Sequence, residues 1–437
     1  MTYKELQKKH KLFVYDSFLY SKIEDKILVS YKYFLDQQEF VSNWEIPTPA
    51  DFKITNLDNL LFHIGLVEMI SYWKLACPKN IVIKAGKINN AQIKFLKDLI
   101  LNGLGEFFYQ NKINFLAKDF LTIKCDSNQV LEKFNFNLKE ETLIGIGGGK
   151  DSIVALELLK ETNPTCFAFG HKSSLDVIEI SGSKGLIIKR KMDPKMGILN
   201  KQGYLNGHTP FSALLAFLGI FLGVIWAKKY IIVGNERSAN EGNVKYLGKT
   251  INHQYSKTID FENKFRKYYK EFIVGNVEYF SFLRPWHEIQ IAKRFAEYKQ
   301  YFSKFLSCNV GQANKTYKWC GKCAKCLFVY MMLYPFIDRN ELINIFGNDL
   351  FADKTLIKIF KQLIGKEKIK PFDCVGTKTE AIASLALALD KNDGKLPYLL
   401  NYFDKNIKKP NKKSIDKLLN DFNKKNNVPE IFLKYLK

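Results

Sequence analysis

At 437 residues the chain is too long for one small core, which predicts two or three domains. Its 46% hydrophobic, 14% aromatic and 25% charged residues are those of a folded globular protein and argue against disorder over most of the chain. The net charge of +23 is carried almost wholly by lysine, and neither arginine abundance nor a known binding motif supports a nucleic-acid partner. A solvated lysine surface accounts for the charge, with steering of an anionic ligand as the functional alternative.

The opening MTYKELQKKHKLF lacks the apolar run and small-residue cleavage site of a secretory signal, so a cytoplasmic chain is expected. Residues 12–46 alternate apolar and polar (FVYDSFLYS, KILVSYKYFL, EFVSNWEI), which predicts half-buried strands. Helical patterning at 58–76, a strand at 81–86 and a helix at about 90–111 complete an α+β amino-terminal domain, residues 1–135. From residue 140 strand, loop and helix alternate: TLIGIGGG, DSIVALELLKE, TCFAFG, LIIKR and YIIVGN. That rhythm predicts an α/β domain, residues 136–335, built on a doubly wound parallel sheet. Residues 210–227, PFSALLAFLGIFLGVIWA, reach the lower length limit of a membrane span, but two lysines and a strand follow at once. A buried helix fits better, and no stable membrane insertion is expected. Residues 336–437 read as mostly helical and lysine-rich, with an Asn/Lys-rich stretch at about 405–427 that is expected to be partly mobile.

Between a strand and a helix lies Gly147-Gly148-Gly149-Lys150-Asp151-Ser152. Glycines let a backbone approach phosphates, and a helix N-terminus offers unpaired N–H groups and a positive dipole end. Lys150 adds charge, Ser152 a hydroxyl, and Asp151 a ligand for Mg²⁺. The spacing is neither Walker A nor the dinucleotide fingerprint. It resembles the SGGxDS signature of PP-loop (HUP-like) ATP pyrophosphatases, with Gly147 where most members carry serine. That resemblance implies a loop gripping the pyrophosphate that leaves ATP.

Four of the eight cysteines crowd together as Cys308, Cys320, Cys323 and Cys326. Thiolates two residues apart can share a tetrahedral Zn²⁺, and four protein ligands leave no place for water, so such a site is structural. Redox chemistry and unligated thiols are the alternatives. Cys77, Cys125, Cys166 and Cys374 stand singly in apolar surroundings, as core residues do. Polar groups concentrate in Asn206–His208, Gly234–Asn240, Asn252–Lys257 and Ser281–Glu288. Each alone reads equally well as a satisfied loop network; the second follows the strand YIIV, at the carboxyl edge where α/β folds bind ligands.

In order, GGGKDS, NGHTPFSA, GNERSAN, NHQYSKTIDFE, FSFLRPWHEIQIAKRF, SCN, WCGKCAKC and KPFDCVG resemble the UDP-N-acetylmuramoyl-L-alanyl-L-glutamate epimerase family, with weaker support from GLGEFFYQN. The resemblance covers about residues 140–380. It implies ATP- and Mg²⁺-dependent inversion of the terminal L-Glu of UDP-MurNAc-L-Ala-L-Glu, releasing AMP and pyrophosphate, in a bacterial cytoplasm. On that reading Gly147–Ser152 bind ATP and Mg²⁺, His208, His253 and Glu236 are candidates for the proton transfers, and Lys257 is a catalytic candidate as a cation for phosphates or the substrate carboxylates. Asn235, Arg237, Ser238, Ser256 and Arg284 are candidates for holding substrate. The rivals are a 7-cyano-7-deazaguanine synthase-like enzyme, against which the large amino-terminal domain argues, and a tRNA-modifying PP-loop enzyme, which would show salt-dependent RNA binding.

Overall fold

The alternation of residues 12–46 forms three antiparallel strands in the computed structural model: β1 (Leu12–Ile23), β2 (Lys26–Leu35) and β3 (Gln38–Pro47). The structure describes residues 1–53, 55, 57–392 and 394–437. Glu24 and Asp36 turn the two hairpins with φ of 52° and 51°, the sign that tight β-turns need. The chain is α/β, with the further strands β4 (Asn80–Ile83), β5 (Thr122–Cys125), β6 (Lys139–Gly145), β7 (Thr165–Phe169), β8 (Gly185–Lys191) and β9 (Lys228–Val233). A small ribbon, β10 (Val244–Tyr246) with β11 (Lys249–Ile251), and β12 (Glu278–Ser281) complete the set.

Two compact units emerge, both discontinuous in sequence: residues 1–143, 186–231 and 245–279 form the first, and 144–185, 232–244 and 280–437 the second. The division expected at residues 135 and 335 cuts the chain only lengthwise, whereas these units exchange segments several times.

In the first unit the strands run in the order β8-β3-β2-β1-β4-β5. β1, β2, β3 and β8 pair antiparallel, while β1–β4 and β4–β5 are parallel. Tyr15, Tyr31, Tyr33 and Trp44 are buried, and the helix Asp58–Trp73 covers that face with nearly every residue inside. Such burial needs internal partners: Tyr31 and Tyr33 donate to the carbonyls of Leu61 and Gly65 at 3.1 and 2.9 Å. Glu68 accepts from Ser42 at 2.6 Å and pairs with Arg190 at 2.7 Å. A Cβ at Gly65 would stand 2.5 Å from Cζ of Tyr15 and 2.7 Å from Cδ1 of Tyr31. Gly65→Ala is therefore expected to destabilise this unit by about 1–3 kcal/mol, the usual cost of overpacking, read as a lower urea midpoint.

The apolar run expected as a buried helix is one, Phe211–Ile225, with Ala213, Leu214 and 216–225 all buried. At about 1.5 Å per residue it is shorter than a bilayer's hydrocarbon core. No helix among the described residues is long and apolar enough to cross a membrane.

Strands β12, β9, β6 and β7 are neighbours in that order. β6 leads through the glycine loop into the helix Lys150–Leu158 and on to β7, the crossover that a parallel pair requires. The second unit's core includes the helix Ala324–Leu333, every residue of which is buried.

Candidate active site

In the second unit, β6 ends at Gly145 and the helix begins at Lys150, with Gly149 as its N-cap in an extended conformation. Its N-cap is a glycine, with no side chain to cap the helix, and a helix N-terminus of this kind suits an anion. Gly148 has φ of 83°, and a Cβ there would lie 2.8 Å from the carbonyl carbon of Ser173, so only glycine fits. Nothing lies within 4 Å of a Cβ at Gly147, so a serine would fit there as well. Gly234 brings the loop after β9 against this turn: its Cβ would meet the Asp151 carbonyl oxygen at 2.9 Å.

Lys150 is buried, its Nζ bonded to Asp151 and, at 2.8 Å, to Glu288. Burial works against its charge, but the two carboxylates outweigh burial and hold the ammonium protonated. Glu288 is pushed up by burial and by the charges of Asp151 and Glu236, against the pull of Lys150. Asp151 and Glu288 thus both bond the loop lysine, with Glu236 near enough to act on Glu288, and Asp151, the more exposed of the pair it makes with Lys150, offers a carboxylate oxygen that a cation could use.

The segment after β9 is held from below. Arg284 is fully buried and donates to the Glu236 carbonyl at 2.6 Å and to Ser281 at 3.2 Å. Asn235 donates to the same Ser281 hydroxyl at 3.1 Å. Ser238 is buried and its Oγ finds no hydrogen-bond partner among the described residues. Arg237 pairs with Asp421 and lies 3.2 Å from Nε2 of His287, whose Nδ1 is 3.1 Å from Glu380. Against its burial, hydrogen bonds from His287 and Thr377 hold Glu380 low. Arg237, His287, Lys378, Ile382, Leu418 and Asp421 line a cavity of about 620 Å³, within the size range of small-molecule sites. Asp421 lies in the Asn/Lys-rich stretch, which here carries a helix, Lys412–Asn420, tied down where Gln290 donates to the Leu419 and Asp421 carbonyls at 3.2 and 3.1 Å.

Cys308, Cys320, Cys323 and Cys326 come together with their sulfurs within 4.8 Å of one another. The spacings of 3.9 Å (308–323), 3.6 Å (320–326) and 3.4 Å (323–326) match the ~3.8 Å edge of a tetrahedron with Zn–S of about 2.3 Å. Backbone N–H groups of Gly311, Lys322 and Cys326 point at three of the sulfurs, which suits thiolates. The four residues fit zinc and leave no ligand position open.

The first unit has its own cluster. Glu106, on the helix Gly105–Gln110, places Oε2 2.5 Å from Nδ1 of His253 and 3.5 Å from Nδ1 of His208. The two rings lie 4.4 Å apart between centroids, inclined at 51°. Lys74 bonds the carbonyl of Gly207 and, at 2.7 Å, the Thr209 hydroxyl, and burial pulls its ammonium down to about 8. Burial first, then His253, Lys74 and Lys257, push His208 well below the ordinary imidazole value. Ser256 is buried in the same unit. The ligand atoms of Glu106, His208 and His253 are close enough to share a metal ion. The two lysines near His208 make an anionic ligand the better electrostatic match.

A histidine whose folded pKa is depressed binds fewer protons folded than unfolded, so its burial costs stability once pH falls below about 6.5. The urea midpoint is therefore expected to fall more steeply between pH 7 and 5 in the parent chain than in His208→Asn. Parallel curves would assign the acid sensitivity elsewhere.

The sequence candidates thus divide: Gly147–Ser152, Asn235, Glu236, Arg237, Ser238, Arg284 and the four cysteines belong to the second unit, and His208, His253, Ser256 and Lys257 to the first. Sequence reasoning passed over Lys74, Glu106, Glu288, Glu380 and Asp421. Glu106 and Glu288 sit within the segments GLGEFFYQN and FSFLRPWHE, and a lysine inside the apolar run SYWKLAC was a signal for Lys74.

Family models of the MurL N-terminal domain and the MurL C-terminal domain match residues 4–282 and 304–418. A curated UDP-N-acetyl-alpha-D-muramoyl-L-alanyl-L-glutamate epimerase of Micromonospora sp. is 32% identical over 365 residues, 82% of this chain and 81% of that protein. Proteins of the same description from Salinispora tropica and Xanthomonas oryzae pv. oryzae are 31% and 30% identical, over 80% and 81% of this chain and 78% and 79% of their own. No solved structure matches. Two domain models in the expected order, together with relatives aligned over most of both chains, place this protein in the MurL family.

Proposed function

We propose that this chain inverts the terminal L-Glu of UDP-MurNAc-L-Ala-L-Glu in peptidoglycan precursor synthesis, spending ATP to AMP and pyrophosphate through an acyl-adenylate. The observation that carries the ATP part is the glycine loop Gly147–Gly149 running into a helix N-terminus, with Lys150 locked between Asp151 and Glu288. It supports a PP-loop type of sheet and loop. The substrate follows from the names of the relatives.

The chemistry explains the need for ATP. Removing the α-proton beside a carboxylate would place a second negative charge next to the first. Once the carboxylate is adenylated, the carbonyl can take up the electron pair as an enolate. Gly147–Ser152 would grip the leaving pyrophosphate, and Asp151 would hold Mg²⁺, which supplies charge neutralisation when bound. Arg237, Asn235 and Ser238 are assigned to the substrate, while Arg284 shapes the Glu236 backbone from within the core. His208 and His253 are assigned to proton transfer, with Lys257 beside them and Glu236 near the loop. The four cysteines hold a structural zinc.

The test is substrate-dependent AMP and pyrophosphate release with ATP and Mg²⁺, for the parent chain and Asp151→Asn. The proposal expects release only with the UDP-dipeptide and a fall of roughly 10²–10³ in the variant, the scale of losing a preorganised charge partner. Release without the dipeptide, or a variant as fast as its parent, would overturn it.

A further inference from the structure

Glu106 restricts what the two imidazoles of the first unit can do. An ionised carboxylate only accepts hydrogen bonds, so a ring nitrogen facing it carries the proton and the other nitrogen keeps its lone pair. Glu106 Oε2 is hydrogen-bonded to Nδ1 of His253 at 2.5 Å and lies 3.5 Å from Nδ1 of His208, where its charge favours a proton on that nitrogen. Nε2 of His208 is then the bare nitrogen, and it is buried without a hydrogen-bond partner among the described residues. Leaving a buried acceptor unsatisfied is costly, so a site that keeps one has a use for it.

Resting on the epimerase reading, we propose that Glu106 is a positioning residue that keeps the Nδ1 protons of both imidazoles in place and leaves Nε2 of His208 as the base. In the step itself the α C–H bond of the adenylated glutamyl residue breaks, its proton goes to Nε2 of His208, and its electron pair moves to the carbonyl oxygen. The imidazolium so formed is stabilised by Glu106. As the carbonyl re-forms, a proton from a donor on the opposite face makes the new C–H bond, and solvent exchange returns both groups to their starting states.

Full-length protein is tested with ATP, Mg²⁺ and UDP-MurNAc-L-Ala-L-Glu, or its D-Glu epimer, in D₂O. For Glu106→Gln, D-Glu formation is expected to fall at least 100-fold while AMP formation falls far less, and Glu106→Asp should recover part of the loss. An equal fall in both rates, or none, would overturn the positioning role. His208→Asn should lose α-deuterium exchange in one epimer of the dipeptide while still forming AMP; full exchange in both epimers would remove His208 as the base. Ring ¹⁵N shifts of the histidine-labelled parent should show His208 protonated on Nδ1 and bare on Nε2. The reverse tautomer would contradict the Glu106 assignment whatever the reaction proves to be. Absence of AMP formation by the parent would instead count against the proposed function.

Discussion

Replacing Lys150 with methionine is expected to abolish ATP-dependent pyrophosphate release and to cost about 3–5 kcal/mol of stability, the usual penalty for removing one partner of a buried ion pair. Lys150 and Glu288 are each 2% exposed and 2.8 Å apart, and Asp151 closes the group. Without the ammonium, Glu288 is left buried beside Asp151 and Glu236, with only the weaker help of Lys325. The size of the effect comes from stranded carboxylates more than from the lost attraction. Adding Glu288→Gln to Lys150→Met should therefore restore much of the urea midpoint, because one of those charges is removed, and none of the turnover. A double variant no more stable than Lys150→Met would show that Glu288 is not the stranded charge.

The second large effect is expected at the cysteines. Cys326→Ser should lose bound zinc, and the protein should then unfold at a markedly lower temperature. Structural zinc contributes on the order of 10 kcal/mol or more to the folding of small domains. Here the stake is the helix Ala324–Leu333, wholly buried and started by Cys323, whose Sγ faces the Cys326 N–H at 3.5 Å. Metal analysis should find one zinc per chain in the parent and none in the variant, with the melting temperature falling alongside. A zinc-free chain that melts like the parent would remove the structural role.

What could be read from the sequence was what depends on local pattern. Strands β1–β3 were legible because one face is buried and one is not, so burial repeats every second residue. The loop was legible because its geometry demands glycine, at Gly148 above all. The cysteines declared themselves by spacing. Arg284 shows the limit: a lone arginine in a polar segment reads as a cation for a ligand, yet its side chain lies in the core and bonds a carbonyl. Glu380 and Asp421 reach His287 and Arg237 only through tertiary packing across about a hundred residues or more, which no local signal carries. Glu106 meets His208 and His253 the same way, from a short helix whose own residues say only that it is amphipathic. The exchange of segments between the two units was hidden for a related reason, because chain order does not reveal which strands share a compact unit.

The central claim is tested most directly by chiral analysis of glutamate after incubating the protein with UDP-MurNAc-L-Ala-L-Glu, ATP and Mg²⁺. The account predicts D-Glu in the recovered dipeptide, formed only with ATP and lost in Asp151→Asn. Recovery of L-Glu alone, despite release of pyrophosphate, would contradict it and move the activated carboxylate to another substrate.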